Sequence, residues 1–182
     1  MNTQKQDRKL SKLLSLVLRH RPEIIGLQLD ANAWADVDEL IARLNQAQHP
    51  IELEQLKSIV ANNDKQRFTF NADYTKIRAN QGHSIQVDLN LPAIQPPSIL
   101  YHGTSEKAID HILATGLEKR NRQHVHLSSD LATASKVGRR HGKLVLLQVD
   151  AKGMHETGHR FFCSKNGVWL TDAVPVVYLT RI

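Results

Sequence analysis

"YHGTSEKAIDHILATGL", residues 101–117, carries a short apolar run into a segment with helical spacing through a histidine, a glycine and two hydroxyls. A strand that ends where a helix begins makes a corner where ligands sit. Gly103 would let a ligand approach the backbone closely. Thr104 or Ser105 would cap the helix, whose free N–H groups favour anions. His102 and Thr104 offer hydrogen bonds to a sugar. The same residues equally suit a core histidine and a simple turn, so this corner alone leaves both readings open.

Working outward from the corner, "SILYH", "HVHLS", "KLVLLQV", "RFFCS", "GVWL" and "PVVYL" are short strand candidates. Helices are expected over 105–115, ended by Gly116, and over about 130–140. Many short strands with two helices predict an α+β lobe rather than an alternating βαβ fold. Upstream, "NLPAIQPPS" at 90–98 holds three of the six prolines and reads as a linker.

The pattern before the linker differs. Leu10, Leu13, Leu14, Val17 and Leu18 predict a helix over 9–20, stopped by Pro22. A second helix starts at Asp36 with Glu39 three residues on, a capping box, and faces inward with Val37, Leu40, Ile41 and Leu44. A third spans about 52–61, with Leu53, Leu56, Ile59 and Val60 facing in. "RFTF" and "KIRA" flank "NADYT" as strand, turn and strand. Three helices and a two-stranded wing predict a winged helix-turn-helix. The expected organisation is a lobe over 1–90, a linker over 91–97 and a second lobe over 98–182.

The chain has 182 residues, 41% of them hydrophobic, enough for a core. It contains no run of 18 apolar residues and so no expected membrane span. The start, "MNTQKQDRKL", lacks the apolar stretch of a signal peptide. The single cysteine, Cys163, excludes an intramolecular disulfide framework and suits a reducing cytoplasm. Net charge is +6, and residues 1–21 carry six basic residues against one acid. Such a concentration suits a polyanionic partner, and equally a merely soluble surface. His124, His126 and Cys163 lack the tight spacing of a zinc site, so no metal is expected.

"HGT" on the first strand of the second lobe resembles the NAD-binding strand of ADP-ribosyltransferases. "HVHLS" resembles their second motif, with His126 where many relatives have tyrosine. "NGVWL" falls where relatives that modify proteins often have a catalytic glutamate, yet no carboxylate stands between Lys165 and Thr171. A closer resemblance spans about residues 9–180. "LSLVLRHRPEIIGLQLD", "RFTF", "IRANQGHSIQV", "LYHGT", "RQHVHLS", "VGRRHGK" and "NGVWLTDAVPVVYL" occur in that order. Together they resemble the NAD-dependent RNA 2′-phosphotransferase family; no single motif is specific, but the ordered set is. One departure is "DANAWADV", where Ala33 takes the place of the family's usual glycine before tryptophan, and a slightly altered turn is expected there.

The resemblance implies a winged-helix-like, RNA-binding lobe followed by an ADP-ribosyltransferase-like lobe, with the active site in the cleft between them. It implies removal of an internal RNA 2′-phosphate by transfer to NAD, through an ADP-ribosylated 2′-phosphate. The products are 2′-OH RNA, nicotinamide and ADP-ribose 1″,2″-cyclic phosphate. NAD is consumed as a co-substrate, without metal, and the RNA is of the tRNA splice-junction type. A cytoplasmic monomer is expected.

The resemblance places the catalytic set on Arg19, His20, Arg67 and Arg122. Arg19 and Arg67 are assigned to gripping the 2′-phosphate, Arg122 and His20 mainly to the second step. NAD contacts are expected from His102, Gly103, Thr104, Ser105, His126 and Ser128. RNA contacts are expected from Arg21, Arg78, His83, Arg139 and Arg140. Two other readings compete. One is an ADP-ribosyltransferase acting on nucleic-acid phosphate ends without the second step, which the Arg-His-Arg-Arg set disfavours. The other is a winged-helix regulator sensing NAD, which the net acidic segment 52–61 disfavours.

Overall fold

The computed structural model describes residues 3–182; Met1 and Asn2, the first two residues of the stretch read as lacking a signal peptide, lie outside them. The chain divides into two compact units, Met1–Asn90 and Leu91–Ile182.

In the first unit, helix α1 (Thr3–Val17) begins well before the apolar spacing does, because the Gln- and Lys-rich start contains no helix breaker. Its Leu10, Leu14 and Val17, with Leu18 beyond, form one buried stripe. Helix α2 (Val37–Gln46) is capped as expected, the Asp36 carboxylate accepting from the Glu39 N–H at 2.9 Å. In helix α3 (Leu53–Ala61), Leu56 and Ile59 are buried. Leu53, expected to face in, stands exposed on the first turn. Strands β2 (Phe68–Phe70) and β3 (Lys76–Ala79) form the expected hairpin. A third strand, β1 (Ala35–Asp36), pairs with β3 and makes the sheet order β1-β3-β2. Two residues are too few to show a period in sequence.

Ala33, where a glycine was expected, is fully buried with φ 65°, in the left-handed region. That backbone costs an alanine about 1 kcal/mol. Asp30 closes the turn around it: its Oδ1 accepts from the N–H groups of Asn32 (3.0 Å) and Trp34 (2.9 Å), and its carbonyl from Ala33 (2.9 Å).

The second unit is built on β4 (Ile99–Ser105), which pairs antiparallel with β7 (Leu144–Asp150) along its whole length. Strand β11 (Leu179–Arg181) flanks β7, giving the order β11-β7-β4. A second sheet runs β6-β9-β8, from Val125–Leu127, Trp169–Thr171 and Phe162–Cys163. Tyr101 and Ser128 exchange both backbone hydrogen bonds at 2.8 Å and join the two sheets. Strands β5 (Leu117–Glu118) and β10 (Ala173–Val174) form a separate pair. Helices α4 (Glu106–Thr115), α5 (Leu131–Gly138) and α6 (Ala151–Glu156) complete the unit. Leu100, Leu147, Val149, Met154 and Phe161 are fully buried at its centre.

"PVVYL" was expected as a strand. Its middle is instead a 3-10 turn at Val176–Tyr178, behind Pro175, and only from Leu179 does the chain become β11. The mixed α+β class stands, with small sheets in both units. Among the described residues no helix is long and apolar enough to cross a membrane.

Candidate active site

In the first unit, three of the expected catalytic residues come together. The helical turn continues past α1: Leu18 donates to the Leu14 carbonyl and His20 to the Leu16 carbonyl, both at 2.9 Å. Arg19 and His20 therefore project from the C-terminal end of the helix, where cations complement its dipole. The Arg19 guanidinium lies 6.0 Å from the Phe68 ring centre, and its Nη2 donates to the Arg67 carbonyl at 3.4 Å. Arg67 enters β2 with its own guanidinium held, Nη1 donating to Asn63 Oδ1 at 3.3 Å. The same Asn63 oxygen accepts from the Arg67 backbone N–H at 3.3 Å, while Asn63 Nδ2 donates to Ser11 on α1 at 3.1 Å.

The segment 80–84 ties these pieces together. The Asn80 N–H donates to the Arg67 carbonyl at 2.8 Å, and the Ser84 N–H to the Arg19 carbonyl at 3.0 Å. Ser84 Oγ meets His20 Nδ1 at 2.9 Å. Ser84 thus fixes the His20 ring through Nδ1 and turns Nε2, on the far side of the ring, away from itself. Neither Ser84 nor Asn63 stands out in the sequence. Ser84 sits inside the quoted "IRANQGHSIQV", which was a usable signal; Asn63 follows a helix and offered none.

Two residues expected to touch RNA are differently employed. His83 is only 1% exposed, so its ring is not available at the surface. Neither ring nitrogen makes a well-formed hydrogen bond. Burial, and then the charges of Arg19, His20 and Arg78, push its pKa down to about 4, against a weaker pull toward the proton from the Leu18 backbone. His83 is therefore a neutral core group behind the cluster. Arg78 donates from Nη1 to the carbonyls of Asn32 (3.2 Å) and Leu89 (3.3 Å) and stacks 4.5 Å from the Trp34 ring centre. It staples the hairpin to the Ala33 turn and to the end of the unit. Arg21 is exposed and paired with Glu23 at 3.2 Å.

In the second unit, the link between Tyr101 and Ser128 sets β4 beside β6 and gathers His102, His126 and Ser128. His102 Nδ1 lies 3.1 Å from the His126 carbonyl. A carbonyl only accepts, so Nδ1 carries the proton. Burial, ahead of the charges of His141, Arg122 and Arg120, keeps the ring neutral by lowering its pKa against that hydrogen bond. Nε2 is then an acceptor, the form that binds a sugar hydroxyl. Arg122 is exposed, with Nη1 at 3.5 Å from His126 Nδ1.

The rest of the corner works differently from expectation. A Cβ on Gly103 would collide with the Ala134 carbonyl and crowd the Gly138 N–H. Gly103 therefore leaves room for the backbone of α5. Thr104 and Ser105 are 7% and 5% exposed, and Ser105 sits at the N-cap of α4 without accepting a side-chain hydrogen bond. Of the expected NAD contacts, His102, His126 and Ser128 keep some exposure, whereas Gly103, Thr104 and Ser105 are buried. Arg139 and Arg140 are exposed on the 3-10 turn that follows α5.

Residues 5–173 match the family described as RNA 2′-phosphotransferase, Tpt1 / KptA family. Among similar curated proteins, one named probable RNA 2′-phosphotransferase from Hahella chejuensis is 55% identical over 179 residues, covering 97% of this chain and 96% of its own length. A protein of that name from Nostoc punctiforme is 51% identical, with 96% of each chain covered. Another from Rhodopirellula baltica is 50% identical over 181 residues, covering 99% of this chain and 98% of its own.

Proposed function

Because this chain belongs to the RNA 2′-phosphotransferase, Tpt1/KptA family, we propose that it removes an internal RNA 2′-phosphate by transferring it to NAD. The products are 2′-OH RNA, nicotinamide and ADP-ribose 1″,2″-cyclic phosphate, reached through an ADP-ribosylated 2′-phosphate. The observation that carries this reading is the way Arg19, His20 and Arg67 are tied together: the Arg19 guanidinium donates to the Arg67 carbonyl beside Phe68, and Ser84 of the 80–84 segment holds the His20 ring.

NAD supplies an electrophilic ribose carbon and a leaving group that departs neutral. The nucleophile needs no base, since a phosphate monoester, with a second pKa near about 6, is already anionic at neutral pH. What it needs is to be held and aimed. Arg19 and Arg67 suit that role, because guanidinium forks bind phosphate oxygens in pairs and never deprotonate. The absence of a carboxylate from "NGVWL" fits the same chemistry.

The second stage transfers the phosphoryl group to a ribose hydroxyl and frees the RNA 2′-oxygen. Charge builds on the phosphoryl oxygens, where Arg122 and His20 act. His20 also takes the proton released by the attacking ribose hydroxyl at Nε2 and passes it to the departing RNA oxygen, while Ser84 holds the ring by Nδ1. His102, as a neutral acceptor, orients a ribose hydroxyl, with His126 and Ser128 beside it. A single cysteine suits work in a reducing cytoplasm, and the family resemblance points to RNA of the splice-junction type.

The test is turnover of an RNA oligonucleotide carrying one internal 2′-phosphate, with and without NAD. Loss of the 2′-phosphate only when NAD is present is expected. Equal loss without NAD would make the protein a phosphatase. A stable ADP-ribosylated RNA as the end product would make it an ADP-ribosyltransferase that stops after one step.

A further inference from the structure

Helix α1 presents a row of cations that the reaction as proposed does not use. At 3.6 residues per turn, Lys5, Arg8, Lys9 and Lys12 fall within an arc of about 100°, and Arg19, on the helical turn that continues α1, falls in the same arc. Leu10, Leu14, Val17 and Leu18 lie on the opposite side, in the core. The helix's one acid, Asp7, is turned away from the cations and accepts from Gln55 at 3.0 Å. All four cations are exposed. Among the described residues none of the four has an ion-pair partner, whereas Arg43, Lys57 and Lys152 on other helices pair with Glu39, Glu54 and Glu156.

A row of such cations that ends at a phosphate-gripping arginine fits a polyanion running along the helix. From Lys5 to Arg19 the helix rises about 21 Å at about 1.5 Å per residue. That is roughly six phosphates of a helical strand at about 3.4 Å each. Among the described residues of α1 the exposed ones are all polar, and none of them would insert into a lipid surface. We propose that the outward face of α1 is a track for the phosphodiester backbone of the substrate RNA, holding the nucleotides on one side of the 2′-phosphate that Arg19 grips. This rests on the function proposed above and extends it from the modified nucleotide to its flank.

Four contacts at about 0.7 salt-exponent each make an affinity term that falls about 50-fold between about 50 and 200 mM salt. The experiment compares binding, by fluorescence anisotropy, of a 2′-phosphorylated dinucleotide and of the same dinucleotide extended on its 5′ or its 3′ side by about six nucleotides. The proteins are the wild type, a variant with Lys5, Arg8, Lys9 and Lys12 all changed to Gln, and a control with Lys107→Gln and Lys136→Gln. One extension is expected to bind the wild type and the control more tightly than the dinucleotide, with that advantage lost at the higher salt. The α1 variant should lack the advantage at every salt and bind the dinucleotide normally.

An α1 variant that keeps the advantage and its salt dependence would overturn the proposal. So would an equal loss for short and long RNA, which would mark a general effect of net charge. Sedimentation with phosphatidylcholine–phosphatidylserine vesicles is a further arm, and vesicle binding lost in the α1 variant while RNA binding is retained would assign the face to membranes instead. Turnover with NAD is read on the same samples. Its absence in the wild type would sink the proposed reaction, while the binding comparison would still judge the track.

Discussion

Lowering the pH is expected to destabilise the first unit through His83. The ring is 1% exposed and its pKa in the folded protein is pushed down to about 4 by burial and by Arg19, His20 and Arg78. In the unfolded chain a histidine takes its proton near about 6.5. The unfolded state therefore binds the proton first, and protonation favours unfolding. The stability that the neutral ring preserves is present above about pH 6.5 and is lost as the pH falls through about 4. The full difference corresponds to about 3 kcal/mol, of which about 1 is gone at about pH 5.5 and most at about pH 4.5. Trp34 reports on this unit and Trp169 on the other, so the assay is urea unfolding followed by Trp34 fluorescence in a Trp169→Phe background. His83→Gln is expected to shift baseline stability but to flatten its pH dependence by those amounts. An identical pH dependence with and without His83 would refute the assignment of a neutral buried ring, whatever happened to baseline stability.

Three more outcomes are expected. Ser84→Ala should slow the second step about tenfold or more, because His20 loses the hydroxyl that orients it, while Ser84→Thr should retain most of the rate; equal rates in wild type and Ser84→Ala would leave Ser84 without a role. Gly103→Ala should cost at least about 2 kcal/mol in urea unfolding of the second unit, because the added methyl meets the backbone of α5; normal stability with weakened NAD binding would restore the reading of Gly103 as a ligand contact. Arg122→Ala and His20→Ala should slow the second step by about 10²–10³ and accumulate ADP-ribosylated RNA as a slower band on a denaturing gel. Arg19→Ala and Arg67→Ala should slow both steps, and loss of the first step in all four variants alike would dissolve this division of roles.

Elements with a full period were legible in the sequence. The Leu10–Leu18 stripe and the "KLVLLQV" strand each spread their signal over several residues, and both stand in the structure, as does the N-cap at Asp36. Strands β1, β5 and β10, two residues each, carry no period and were not legible, whereas the similarly short β2, β6, β8 and β9 were legible because they lie in apolar and aromatic runs. "PVVYL" misled because β-branched residues suggest a strand, while Pro175 and the turn behind it make the middle a 3-10 turn.

Within the site, residue types were legible and environments were not. Arg78 and His83 were expected to touch RNA. Each is instead committed by contacts remote in sequence, Trp34 and Leu89 for the one, Leu18 and Arg19 for the other. The glycine in "YHGT" marked a close approach correctly, but α5 supplies the approaching backbone. No local pattern distinguishes a helix from a ligand as the neighbour of a glycine.

The central claim is that the RNA 2′-phosphate ends on the ribose of NAD. A mass spectrum of the small products formed from NAD and a 2′-phosphorylated oligonucleotide tests it most directly. ADP-ribose 1″,2″-cyclic phosphate and nicotinamide are expected in equal amounts, one of each for every 2′-OH RNA produced. Inorganic phosphate released with NAD left intact would contradict the account.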